Sequence, residues 1–166
     1  MVKKIVGTGV LLVLALALQA GVKMYTLKSP DGKVKLEVTA GQGIAYSLFY
    51  DGRLLLKPSR IALHTDLPEA DHWENIRITG TKQRHVSETV QAPFYRVKEF
   101  GIDCNELELR LNNGFSLLMR AYNDGMAYRF VAGRKGEMTV VEERAEFNFA
   151  DDFEAYIPYS TNPKDP

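Results

Sequence analysis

Residues 105–131, NELELRLNNGFSLLMRAYNDGMAYRFV, decide the fold class. Leu107, Leu109 and Leu111 alternate with Glu106, Glu108 and Arg110, so an extended segment carries an apolar face and a charged face. A period of two is the mark of a half-buried strand. Asn113-Gly114 and Asp124-Gly125 then interrupt the pattern. Such pairs accept positive φ at low cost, which type I′ hairpin turns demand. The segments 115–122 and 126–131 are apolar-rich and aromatic, and predict two further strands joined as hairpins.

The same grammar extends outward. Asp31-Gly32 and Asp51-Gly52 are two more turn signals flanked by apolar runs. Val34, Leu36 and Val38 oppose Lys33, Lys35 and Glu37. Strands are predicted at 44–50, 53–56, 61–64, 77–82 and 139–147 as well. No stretch after the N-terminal leader keeps a 3.6-residue apolar period for three turns, so helices are not expected. The prediction is an all-β chain, an antiparallel two-layer sandwich. Residues 65–73, TDLPEADHW, are polar, contain Pro68 and read as a loop. In 83–94 the pattern is ambiguous, with Pro93 ending or bending a strand.

Composition sets the class. The chain has 166 residues, 45% apolar and 25% charged, which suits one globular domain. With 21 basic and 21 acidic residues the formal net charge is +0, which gives no electrostatic reason to expect nucleic acid or an anionic membrane surface as partner. The N-terminus differs from the rest. Lys3-Lys4 precedes an apolar run from Ile5 to Leu18, shorter than the roughly 20 residues that span a bilayer. Residues 1–20 therefore read as a secretory signal peptide, cut after Ala17 or Ala20; the rival is an uncleaved anchor. Export places the protein in the periplasm or at the cell surface, free of the membrane once cleaved. Residues 21–158 form the expected sandwich, and 159–166, rich in turn formers, a linker or a loop cut short. Cys104 is the only cysteine, so no internal disulfide forms; it reads as a small buried hydrophobe.

The candidate chemical groups are sparse. His64, His72 and His85 lack the spacing of a metal site. Glycoside hydrolysis needs two carboxylates facing one another across a sugar. Glu106 and Glu108 lie about 7 Å apart on one strand face by strand geometry, and alternation with Arg110 makes a solvated outer face the better account of both. No nucleophile elbow, P-loop or dinucleotide fingerprint is present. Trp73, Tyr95, Tyr122 and Tyr128 offer flat aromatic faces that suit the C–H faces of sugars. For the tyrosines, cross-strand packing is the simpler reading; Trp73, in a polar loop, is the candidate carbohydrate-binding residue.

Several phrases carry a resemblance. Tyr25-Thr26-Leu27-Lys28-Ser29-Pro30-Asp31-Gly32, Tyr46-Ser47-Leu48-Phe49-Tyr50-Asp51-Gly52, Leu56-Lys57-Pro58-Ser59, Asn105-Glu106-Leu107, Tyr122-Asn123-Asp124-Gly125-Met126-Ala127-Tyr128-Arg129-Phe130 and Ala155-Tyr156-Ile157-Pro158 occur in this order. Together they resemble the N-terminal domain of glycoside hydrolase family 97, exported α-glucosidases and α-galactosidases. Ala62 and Cys104 depart from the family wording, which has Gly and Tyr there. The resemblance implies a β-super-sandwich like that of galactose mutarotases. It implies that the catalytic carboxylates and most calcium ligands lie in a downstream (β/α)8 barrel of about 250 residues, for which this chain has no room. It implies an α-linked oligosaccharide or galactoside as the parent enzyme's substrate, and no catalytic residue in this chain. The family's sandwich lends a Glu to the calcium site beyond the Ile-Pro segment. No Glu follows Pro158 here, and Asp165 stands at a comparable offset as an oxygen donor. The alternative to a domain of a larger enzyme is a self-standing exported carbohydrate-binding or adhesion sandwich.

Overall fold

The computed structural model of the chain describes residues 23–94 and 96–154. The predicted leader 1–20, Tyr95, the segment from Ala155 and Asp165 lie outside the described residues. Nine strands make up the fold: β1 (Lys23–Lys28), β2 (Val34–Gly41), β3 (Gly43–Tyr50), β4 (Arg53–Thr65), β5 (Ile78–Gln91), β6 (Glu99–Leu111), β7 (Phe115–Tyr122), β8 (Gly125–Ala132) and β9 (Val140–Ala145). No helix occurs among the described residues. Pairing is antiparallel throughout, in a five-stranded sheet β1-β2-β3-β4-β9 and a four-stranded sheet β5-β6-β7-β8. The all-β sandwich expected from alternation is the fold observed.

The two apolar faces meet in one core. Val34, Leu36 and Val38 of β2, with Ile44 and Tyr46 of β3, face Leu107 and Leu109 of β6 and Leu117 and Met119 of β7. These side chains are fully or almost fully buried, each contributing about 1.5–3 kcal/mol of transfer free energy as an upper estimate. Cys104 is buried outside this core, paired with Val86 on the strand face that carries Glu106; it is the small buried hydrophobe expected, and burial raises its thiol pKa.

Three local features differ from the sequence expectation. The two strands expected at 53–56 and 61–64 are one strand, β4. Tyr46 pairs with Ser59 and Leu48 with Leu56, so Lys57 and Pro58 stand opposite Ser47 alone. A bulge absorbs the proline, whose missing N–H would otherwise break a ladder. The turns differ in detail. Asp51 and Gly52 both have positive φ, 48° and 80°, as a type I′ turn requires. At the β6–β7 turn only Gly114 does, φ 85°, within a three-residue loop. The β7–β8 turn is Asn123-Asp124, with Gly125 already paired to Tyr122, and neither turn residue has positive φ. Finally, β5 runs through the ambiguous segment to Gln91, paired with β6 along its length. It was illegible because Gln83, His85 and Ser87 occupy its inward positions and no apolar alternation survives.

Candidate functional site

The charged face of β6 is the outer face of the four-stranded sheet. Register places Glu106 between Arg84 of β5 and Arg120 of β7, and Glu108 between Lys82 and Leu118. Arg129 of β8 completes the second row beside Leu118. The expectation of a solvated Glu106 is corrected here: it is only 4% exposed. Two long arginine side chains fold over it. Arg84 Nε donates to Glu106 Oε1 at 2.7 Å and Arg120 Nε donates to Oε2 at 2.7 Å. A carboxylate leaves water only when its lone pairs find charged donors, and here each oxygen has one. Burial pushes the Glu106 carboxyl up, but the bonds from Arg84 and Arg120 outweigh it and hold the group below the ordinary carboxylate range. Arg120 is raised in turn, first by its bond to Glu106.

This arrangement does not suit acid–base chemistry. A glycosidase acid needs a raised pKa and a free oxygen aimed at the leaving group. Glu106 has a lowered pKa and both oxygens engaged. Glu108 leaves the same strand in the same direction, so the two carboxylates do not face one another, and Glu108 Oε1 accepts from Arg110 at 3.3 Å. A groove of about 330 Å³ lies over this face, lined by Lys82, Arg84, Glu108, Leu118 and Arg129.

Trp73, the expected sugar platform, lies elsewhere. The loop 66–77 carries it over one end of the sandwich, where it is 6% exposed. Its ring packs on Phe115 and edge-on against Phe130, and its Nε1 donates to the Leu63 carbonyl at 3.2 Å. A sugar would have to displace core aromatics to stack on it. The sequence hid this because the loop's polar residues surround one apolar plug: Ala70, Trp73 and Ile76 are all buried. Tyr128 is a packing residue, 6.1 Å from the Tyr46 ring. Its hydroxyl donates to Glu143 Oε1 at 3.1 Å, and burial, reinforced by the Glu143 charge, pushes its pKa up to about 12. Tyr122 is half-buried beside Arg120.

The histidines do not assemble. His64 Nδ1 meets Asp71 Oδ1 at 2.7 Å, and His85 Nε2 meets Asp103 Oδ1 at 3.1 Å. Among the described residues no three His, Cys, Asp or Glu side chains converge to hold a metal ion. Asp165, the expected oxygen donor, lies outside the described residues.

Comparison with known proteins fits this geometry. The glycosyl-hydrolase 97 N-terminal family matches residues 27–165. A retaining alpha-galactosidase of Bacteroides thetaiotaomicron is 40% identical over 151 residues, 90% of this chain and 22% of that protein. A probable retaining alpha-galactosidase of Streptomyces bingchenggensis is 26% identical over 132 residues, 77% of this chain and 20% of that protein. Among solved structures, a beta-arabinopyranosidase superposes with a TM-score of 0.66 at 25% identity, over 75% of this chain and 21% of that one. A family 97 enzyme of Pseudoalteromonas sp. strain K8 in complex with panose gives 0.64 at 18% identity, over 76% and 20%, a likeness of fold. The chain spans about a fifth of the length of the relatives it matches. It belongs to the glycosyl-hydrolase 97 N-terminal family.

Proposed function

We propose that this member of the glycosyl-hydrolase 97 N-terminal family is the non-catalytic sandwich of an exported glycosidase whose reaction runs in a downstream domain. One observation carries the reading. The most enclosed carboxylate on the sheet face, Glu106, is locked between two arginines with its pKa lowered, the reverse of what a general acid needs. The fraction of its relatives' length that the chain spans supports the same division of labour. The substrate class we assign to the whole enzyme is an α-galactoside, from the name of the relative 40% identical to this chain. The leader at 1–20 supports export to the periplasm or cell surface. Calcium belongs to this proposal only as an ion of the longer polypeptide, to which Asp165 would lend an oxygen.

The reading frame past Pro166 tests the proposal directly. It requires a frame that continues into a barrel pattern of strands and helices. A stop codon, together with measurable heats when the purified chain is titrated with galactosides and maltooligosaccharides, would replace it with a self-standing sugar-binding sandwich. For calcium, Asp165→Asn in the longer polypeptide should lower the melting temperature gained on adding the ion; an unchanged gain removes Asp165 from the site.

A further inference from the structure

The hairpin of β5 and β6 is longer than the sheet it belongs to. β7 pairs with β6 only from Asn105 to Arg110. Ser87 to Gln91 and Glu99 to Asp103 pair with each other alone, as a two-stranded ribbon beyond the sandwich. Val90 and Phe100 are direct partners across that ribbon. No register shift separates them from Arg84 and Glu106, and both lie an even number of residues away. They therefore share the outer face of the four-stranded sheet, and both stay exposed. Val97 and Phe94, the latter 99% exposed, stand at the ribbon's tip. An isolated two-stranded ribbon is marginal in water, and one with apolar residues on an open face needs a cover.

Val86 and Cys104, paired between the ribbon and the Arg84–Glu106 pair, are buried on this face, and beyond them it is cationic. Lys82, Arg84, Arg110, Arg120 and Arg129 stand there against Glu88, Glu106 and Glu108, in a chain of net charge +0. Glu106 and Glu108 are already bound by arginines. Lys82 and Arg129 have no ion-pair partner among the described residues, and Leu118 lies between their strands, with Val131 two residues further along β8. An apolar patch beside guanidinium groups held in place by a buried carboxylate is the composition of a protein–protein interface core and its rim. The opposite face of the sheet is taken by the sandwich core.

We propose that the outer face of β5–β8, with its ribbon, is the surface on which the catalytic domain of the same polypeptide docks. The domain would present an apolar patch to Val90 and Phe100 and carboxylates to Lys82 and Arg129. This rests on the functional reading above, and it names that reading's partner surface. Roughly four-fifths of the length of the relatives lies beyond what this chain spans, which supplies the occupant. Charge complementarity supplies the rest of its description.

Lysine acetylation read by mass spectrometry tests it, comparing this chain with the longer polypeptide of its reading frame. Lys82 and Lys98 lie on the proposed face and ribbon tip, whereas Lys33 and Lys57 lie on the other sheet's turns and strands; all four are exposed in this chain. The expected result is labelling of Lys82 and Lys98 slowed by about tenfold or more in the longer polypeptide, as interface burial demands, with Lys33 and Lys57 unchanged. Protection of Lys33 and Lys57 instead would overturn the assigned face while leaving an N-terminal domain packed on a catalytic one. Equal labelling at all four sites in a continuing frame, or a frame that stops at Pro166, would overturn both. Phe100→Ser gives a second readout: it should leave the urea midpoint of this chain unchanged and lower that of the longer polypeptide. An equal effect in both contradicts docking there.

Discussion

The two faces of β6 and β7 start from one alternation and end in different physics. On the inner face, Leu107, Leu109, Leu117 and Met119 bury by the hydrophobic effect, which needs only a partner surface of the same kind. On the outer face, Glu106 is buried nearly as deeply, beside the buried Val86–Cys104 pair, although a carboxylate by itself loses free energy on leaving water. Its burial depends on Arg84 and Arg120 arriving from neighbouring strands in register. An apolar core tolerates approximate placement, whereas an ion pair inside a protein is stable only with good geometry on both oxygens. The inner face makes the sandwich, and the outer face gives it a charged surface.

The contrast can be broken from either side. The largest effect is expected at the capped end of the core. Trp73→Ala should cost about 4 kcal/mol, read as a shift of the urea midpoint, because it empties an aromatic cluster. A loss under about 1 kcal/mol would show that Trp73 is not a core residue. Leu109→Ala should cost about 3 kcal/mol by the same mechanism. On the outer face, Glu106→Gln should cost about 2–3 kcal/mol, less than a fully buried pair because Arg84 stays half exposed. Its neighbour sharpens the point: Glu108→Gln, on the same strand face but partly open, should move stability by less than about 0.5 kcal/mol. Equal costs at the two glutamates would mean that the arginine lock contributes nothing.

Acid should separate the faces too. The Glu106 pKa is lowered in the fold from an ordinary 4.5, so the folded state holds fewer protons than the unfolded one near that pH. Its contribution is complete above about pH 4.5 and is lost as pH falls through the lowered folded value. The wild-type chain should therefore lose stability in this window faster than Glu106→Gln does, while Leu109→Ala should track wild type. Parallel curves for wild type and Glu106→Gln would contradict the lowered pKa.

How much of this was legible in the sequence follows from the same contrast. Alternation at Val34–Val38 and Leu107–Leu111 reported the inner face, because apolar periodicity is a local property of one strand. The lock at Glu106 was not legible, since Arg84, Glu106 and Arg120 meet only through register across three strands, 22 and 14 residues apart. One signal was available for half of the lock: Glu106 and Arg120, of opposite sign on adjacent predicted strands, could be read as a cross-strand pair rather than as surface, whereas Arg84 fell in the ambiguous segment. The burial of Trp73 was hidden for another reason. Loop composition described its neighbours, while burial was decided by where the loop crosses the open end of the sandwich. The ribbon of β5 and β6 escaped because a strand without a core to face shows no alternation.

The central claim, that the charged face is scaffold and the chemistry lies elsewhere, meets its most direct test in a hydrolysis assay of this chain by itself. Nitrophenyl α-galactoside and nitrophenyl α-glucoside, with calcium present, should give no release above buffer. Turnover that disappears in Glu106→Gln or Glu108→Gln, in protein shown to remain folded, would contradict it.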